Sequence, residues 1–188
     1  MPRWEAGARD RLQLAALDLF ASAGYERATV AEIAAAAGLT ERTFFRHFAD
    51  KREVLFGDPG VFDAAFLDAV AAEPRADAAS LVQAALAGGA GFFPDERRAW
   101  SARRQAVIDA TLALQERELL KLSGLAASLA TAFADRGVPQ RTAVLAAEGC
   151  VAMFRTAFAE WIADGETRAF ATIADEVVAG WRALLATG

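Results

Sequence analysis

Arg42, Thr43, Arg46, His47 and Lys51 fall within twelve residues, Thr40 to Lys51 (TERTFFRHFADK), threaded between Phe44, Phe45 and Phe48. Guanidinium groups donate paired N–H bonds to phosphates or to the O6/N7 edge of guanine, and hydroxyl and ammonium groups donate to phosphate. The cluster therefore has the chemistry of a polyanion-binding surface. The same residues on an unsupported helix would be an ordinary solvated face, so the surrounding elements decide between the two. His47 is the only histidine in the chain. Zinc needs several ligands at suitable spacing and a di-iron bundle needs two Glu-x-x-His motifs, whereas Phe44 stands three residues before His47, so no metal site is expected.

The elements that position these residues are legible upstream. A first helix is expected from about Glu5 to Ser22, with Leu12, Ala16, Leu19 and Phe20 on one face and Gly24 ending it. Thr29 and Glu32 in TVAE form a capping box that opens a second helix, whose buried face is Val30, Ile33, Ala34 and Ala37. Gly38 stops that helix and Thr40 caps a third only three residues later, the spacing of a helix-turn-helix. On the third helix Phe44 and Phe48 share the inward face, leaving Arg42 and Arg46, flanked by Thr43 and Phe45, on the side that would enter a major groove. Asp50 and Glu53 are expected to open a fourth helix at Lys51.

Charge supports a local reading of this surface. Residues 1–56 hold eight Lys+Arg and eight Asp+Glu, while the remainder holds twelve and seventeen and supplies the whole formal net charge of -5. Arg42 to Arg52 nonetheless carries four cations against Asp50 alone, a basic face inside an acidic protein. The chain is 55% hydrophobic, much of it alanine, which predicts an all-α fold of about nine to ten helices. The single cysteine, Cys150, excludes an internal disulfide, and Arg3, Glu5, Arg9, Asp10 and Arg11 precede any apolar run, so a cytoplasmic protein without a signal peptide is expected.

The run LQLAALDLFASAGYERATVAEIAAAAGLTERTFFRHFADKREVL, Leu12 to Leu55, resembles the N-terminal DNA-binding domain of TetR-type transcriptional regulators in its LF…GY…TV..IA..AG.T..T.F.HF..K pattern. The resemblance implies a DNA-binding domain over residues 1–56 and a ligand-sensing, dimerising domain over 57–188. It implies a homodimer on a partly palindromic operator, released when a small molecule enters the C-terminal domain. Carried onto this sequence, it makes Thr29 and Thr40 helix-start phosphate contacts and Lys51 a phosphate contact. Arg42, Thr43 and Arg46 become groove-facing residues, with His47 a backbone contact beside them. Position 45 departs from the family's usual tyrosine, and Phe45 has no hydroxyl to offer a phosphate.

Further helices are expected at about 61–73, 76–91, 95–110, 113–136, 139–164 and 167–187, with Gly88 to Gly91 bending or breaking a helix before Pro94. In the 139–164 helix, Ala143, Ala147, Cys150, Val151, Phe154, Phe158 and Trp161 form a large-residue inner face, and Cys150 reads as an inert small hydrophobe. A second seam, Leu145, Gly149, Ala152, Thr156, Ala159 and Ala163, has the heptad spacing of a helix-helix contact and is expected to meet its twofold copy, joined by Ile173, Val177 and Leu184. Phe62, Phe66, Phe92, Phe93, Trp100, Met153, Phe154 and Phe158 are candidates for a pocket taking an apolar or aromatic inducer, with Gln83, Arg103, Arg104 or Gln105 as polar anchors.

No nucleophile elbow, phosphate loop or paired acid and base appears, so neither catalysis nor a cofactor is expected. The expected function is a ligand-responsive repressor. A ligand-independent activator or architectural DNA-binding protein is the alternative, and a helical enzyme with an acidic substrate a remote one.

Overall fold

The computed structural model describes residues 7–56 and 59–186, so the expected helix start at Glu5 and end at residue 187 lie outside the described residues. Nine α-helices and two 3-10 turns account for the regular structure among the described residues, with no strand. The helices are α1 (Ala8–Ala23), α2 (Val30–Ala36), α3 (Glu41–His47), α4 (Pro59–Ala72), α5 (Ala78–Ala90), α6 (Arg98–Asp109), α7 (Leu112–Asp135), α8 (Gln140–Trp161) and α9 (Phe170–Ala186). The chain is all-α, as its composition predicts. The fourth helix expected at Lys51 is instead a single 3-10 turn, Arg52–Leu55. Asp50 Oδ1 accepts from the Arg52 and Glu53 amides, and the Arg52 guanidinium, with those amides, holds its carboxyl below the usual range. The turn ends after four residues, with Val54 and Leu55 buried.

The helices divide into two compact units. The first contains the described residues of Met1–Gly57 together with Arg103–Glu118, and the second those of Asp58–Ala102 together with Leu119–Gly188. The chain passes from the first unit to the second near residue 57, and residues 103–118 return to the N-terminal unit. Three arginines hold them there. Arg103 pairs with Asp18 at 2.6 Å, Arg104 donates to the Leu55 carbonyl at 2.7 Å, and Arg117 pairs with Glu53.

In the second unit the core is built from α4, α5, α7, α8 and α9, with Phe66, Phe133, Trp161 and Phe170 among its largest fully buried side chains. Arg98 fastens the end of α8 to the loop before α9, donating to the carbonyls of Trp161 (3.0 Å), Glu166 (2.9 Å) and Arg168 (2.5 Å). Helix α8 is, among the described residues, the one long and apolar enough to cross a membrane by length and composition. Its apolar character has a local account, since Ala143, Ala147, Cys150, Phe154, Ala157 and Trp161 pack into this core. Burial pushes the Cys150 thiol up to about 12, which leaves it the inert packing residue expected.

Helix α5 ends at Ala90, within the glycine run and before Pro94, as expected. It continues through Gly88 and Gly89 because these residues are where α4 makes its approach. A Cβ on Gly89 would overlap the ring of Phe66, and one on Gly88 would overlap the Ala65 carbonyl oxygen. Gly89→Ala is accordingly expected to cost about 1–3 kcal/mol, since fully buried Phe66 has little room to yield. Gly124→Ala, within α7 and with nothing inside 4 Å of the added Cβ, should instead stabilise by about 0.5–1 kcal/mol. Chemical denaturation of both variants checks the contrast, and equal effects would contradict it.

Candidate nucleic-acid interface

The interface begins with two caps that set where the short helices start. Thr29 Oγ1 accepts from the Glu32 amide at 3.2 Å while Glu32 Oε2 accepts from the Thr29 amide at 2.9 Å, the reciprocal capping box expected of TVAE. Those bonds hold the Glu32 carboxyl below its ordinary range. After α2 the chain turns at Gly38, whose φ of 66° is the left-handed conformation that favours glycine, and the Leu39 amide returns to the Ala34 carbonyl at 2.8 Å. Thr40 then caps α3 by accepting from the Thr43 amide at 3.2 Å. The cap-to-cap distance in sequence is thus fixed by one glycine and two threonines.

Helix α3 has two different sides. Phe44 is 0% exposed and Phe48 3%, their ring centroids 5.4 Å apart, with the Arg9 guanidinium 4.8 Å over the Phe48 ring. Arg42, Phe45 and Arg46 are exposed and, with half-buried Thr43, line one concavity on the surface. Such a surface can offer guanidinium forks to phosphates or guanine edges, a hydroxyl, and one bare aromatic ring.

The other sequence-selected residues sit differently. Thr29 and Thr40 spend their hydroxyls on the caps, so what they leave outward is the start of each helix. His47 is half-buried and its Nε2 is enclosed without a hydrogen-bond partner, so this nitrogen does not present itself to a ligand. Lys51 turns inward. Its Nζ donates to the carbonyls of Tyr25 (2.8 Å) and Ala28 (3.0 Å) and lies 4.2 Å from the Tyr25 ring centroid, tying the loop before α2 to the segment after α3. The expected phosphate contact of Lys51 is therefore corrected to a structural strut. Arg103, Arg104 and Arg117 are also partners of this unit, and no periodic signal in the sequence marks them, because their contacts lie 49 to 85 positions away.

In the second unit, most of the residues read as a pocket form a cluster of rings in mutual contact, with Phe66 and Phe154 buried and Phe62, Phe92, Phe93 and Phe158 half-buried. Phe62, Phe66, Phe92, Phe93, Phe154 and Phe158 meet one another and Trp161 and Phe170 at centroid distances of 4.9 to 6.3 Å, largely edge to face. Such rings fill their own space. Met153 is buried in the same core, whereas Trp100 sits outside the stack, next to Arg97. The polar anchors are engaged elsewhere: Gln83 with Arg182, Arg103 and Arg104 in the first unit as described, and Gln105 with Asp109 and Glu118. A cavity of about 620 Å³ lies in the first unit between Phe20, Tyr25, Arg27, Arg103, Val107 and Leu112.

Of the small-residue seam, Leu145 (67% exposed), Ala152, Thr156, Ala159 and Ala163 are exposed and Gly149 half-buried, with Leu184 exposed and Val177 half-buried on α9. Ile173 is the exception. At 0% exposure it belongs to the core of its own chain and has nothing to give a second copy.

The strut makes Lys51 a stability residue first. Lys51→Ala is expected to cost about 1.5–3 kcal/mol, the scale of hydrogen bonds from a charged donor, measured by denaturation. A variant of unchanged stability would return Lys51 to the phosphate-facing role.

Comparison with known proteins agrees with this geometry. The family model described as bacterial regulatory proteins, tetR family, matches residues 14–56. The HTH-type transcriptional regulator TcmR of Streptomyces glaucescens is 46% identical over 69 residues, which cover 37% of this chain and 30% of TcmR's length. FadR from Bacillus subtilis, solved in complex with stearoyl-CoA, superposes with a TM-score of 0.56 at 16% identity, over 90% of this chain and 95% of FadR. NalD, the secondary repressor of the MexAB-OprM multidrug efflux pump in Pseudomonas aeruginosa, superposes with a TM-score of 0.56 at 19% identity, over 93% of this chain and 95% of NalD. At those identities the two structures speak to the fold, while the family-model match falls on the helix-turn-helix itself. A capped α2–turn–α3 with its cations outward, matched by the tetR family model over residues 14–56, gives this chain an N-terminal helix-turn-helix of the tetR type, on an all-α scaffold shared with known regulators.

Proposed function

We propose that the chain is a repressor that acts in the cytoplasm as a homodimer, binds a partly palindromic operator, and leaves it when a small apolar or aromatic molecule binds the second unit. The observation that carries the DNA half is the division of α3, with Phe44 and Phe48 buried and Arg42, Phe45 and Arg46 exposed on one surface. Arg42 and Arg46 read base edges in the major groove, Thr43 lies beside them, and the starts of α2 and α3 at Thr29 and Thr40 approach phosphates. Occupancy of a promoter by such a dimer represses by bulk.

For dimerisation, support comes from the exposed seam of α8 and the neighbouring apolar residues Val144, Leu145, Trp181 and Leu184, each more than 40% exposed. Apposed with its twofold copy, this face gives a four-helix contact, and two α3 helices then read half-sites about 34 Å apart. For the effector, support comes from the aromatic core. A ligand has to part the rings, and in doing so it meets Trp161 Nε1, a fully buried donor without a hydrogen-bond partner. That core suits an apolar molecule carrying one acceptor; of the stearoyl-CoA with which FadR was solved, only the acyl chain is a group of this kind. The close ring packing also favours a second reading, a regulator with no effector at all, whose core simply stays shut.

Arg42→Ala should cost about 1–3 kcal/mol on the selected operator and relax base preference at one position per half-site, read by titrating wild type and variant against the operator and its single-base variants. An equal loss on every sequence would make Arg42 a phosphate contact. Ala152→Arg should yield monomers in sedimentation, and an undisturbed dimer would move the interface away from α8.

A further inference from the structure

Phe45 is the least explained residue of the outward face of α3. It is 55% exposed, has no polar tip, and stands between cations on the surface expected to meet the most polar of partners. Burial does not account for it, since the core is served by Phe44 next to it. Nor is it loose. The Phe44 ring meets it edge to face, 5.5 Å between centroids and 80° between planes, so a wholly buried side chain fixes its direction.

Phosphate has no use for such a ring, because a phenyl group offers no donor. Among the groups displayed in a major groove, one is apolar: the C5-methyl of thymine. The geometry points to Phe45 as a base reader, one that packs its ring on a thymine methyl in each half-site, and the inference rests on the proposed placement of α3 in the groove. It goes beyond that placement by naming the base. Phe45 follows Arg42 by three residues on a helix, so their Cβ atoms are about 5–6 Å apart. Successive bases rise by about 3.4 Å, so the thymine lies one or two steps from the base pair that Arg42 reads. Tyrosine at this position would carry a hydroxyl into the same place and turn the contact towards phosphate or water. Phenylalanine removes that option and leaves the methyl as the partner.

Replacing thymine by deoxyuridine deletes the C5-methyl and leaves every hydrogen-bonding group of the base pair in place, so it tests this contact alone. An operator is first selected from a random duplex pool with the full-length protein, and each of its thymines is then replaced singly. Wild type should bind about fourfold more weakly when one particular thymine in a half-site is replaced, the effect of one methyl returned to water, and more weakly again when its symmetry mate is replaced too. Phe45→Ala should bind the thymine and uracil operators equally, at a reduced level. Should that variant fail to fold, Phe45→Gln, which keeps a helix-favouring but polar side chain, gives the same comparison. If no single replacement weakens wild type, or if the loss persists in the variant, the thymine assignment is overturned while a selected operator still upholds DNA binding. If selection enriches no sequence at all, the DNA-reading proposal and this inference fall together.

Discussion

Phe44 is wholly enclosed while its neighbour Phe45 stands more than half exposed, and that difference within a seven-residue helix holds the rest of the DNA-facing unit in place. Two turns of helix do not persist alone in water, since nucleation costs more than so few hydrogen bonds return. Helix α3 exists because Phe44 and Phe48 are buried against the rest of the unit, Thr40 fixes its first turn, and Gly38 turns the chain so that α3 begins only three residues after it. Once Phe44 is inward, helical geometry leaves no choice about Arg42 and Arg46. Losing the Phe44 ring would remove about 3–5 kcal/mol, which is much of the stability of an ordinary domain, and would release the orientation of every outward residue with it.

Contacts from distant parts of the chain then make the unit rigid. Lys51 spans from the end of the helix-turn-helix to the carbonyls of Tyr25 and Ala28, and Arg103, Arg104 and Arg117 bring a later segment onto α1 and the 3-10 turn. Cations that look alike in the sequence thus divide into two kinds. Some have protein partners and serve the fold, whereas Arg42 and Arg46 stand on the open face of α3.

The first unit was largely legible in the sequence because its signals are local. A capping box, a left-handed glycine, a threonine cap and an i, i+4 pair of phenylalanines each act over a few residues, and each recurs in the structure. What was not legible depends on contacts far apart in the chain. Lys51 looks identical in sequence whether its ammonium reaches outward or back 26 residues to Tyr25. Gly88 and Gly89 mark the approach to a helix end in the sequence, but only the structure shows α4 lying against them. The aromatic residues of the second unit announce a hydrophobic interior, but composition does not say whether they line a space or fill it. Ile173 shares a helical stripe with Val177 and Leu184, and only the packing of α9 shows that the core claims it.

The central claim is that two copies of this chain place their α3 helices in successive major grooves of one specific site. The measurement that tests it most directly is a footprint of the purified protein on its own upstream DNA, at physiological salt with excess competitor, combined with the stoichiometry of the complex. Two chains per duplex are expected, with a protected, twofold-symmetric site whose half-site centres lie about one helical turn apart, roughly 34 Å. A single chain per site, or protection that spreads without sequence preference and vanishes under competitor, would contradict it.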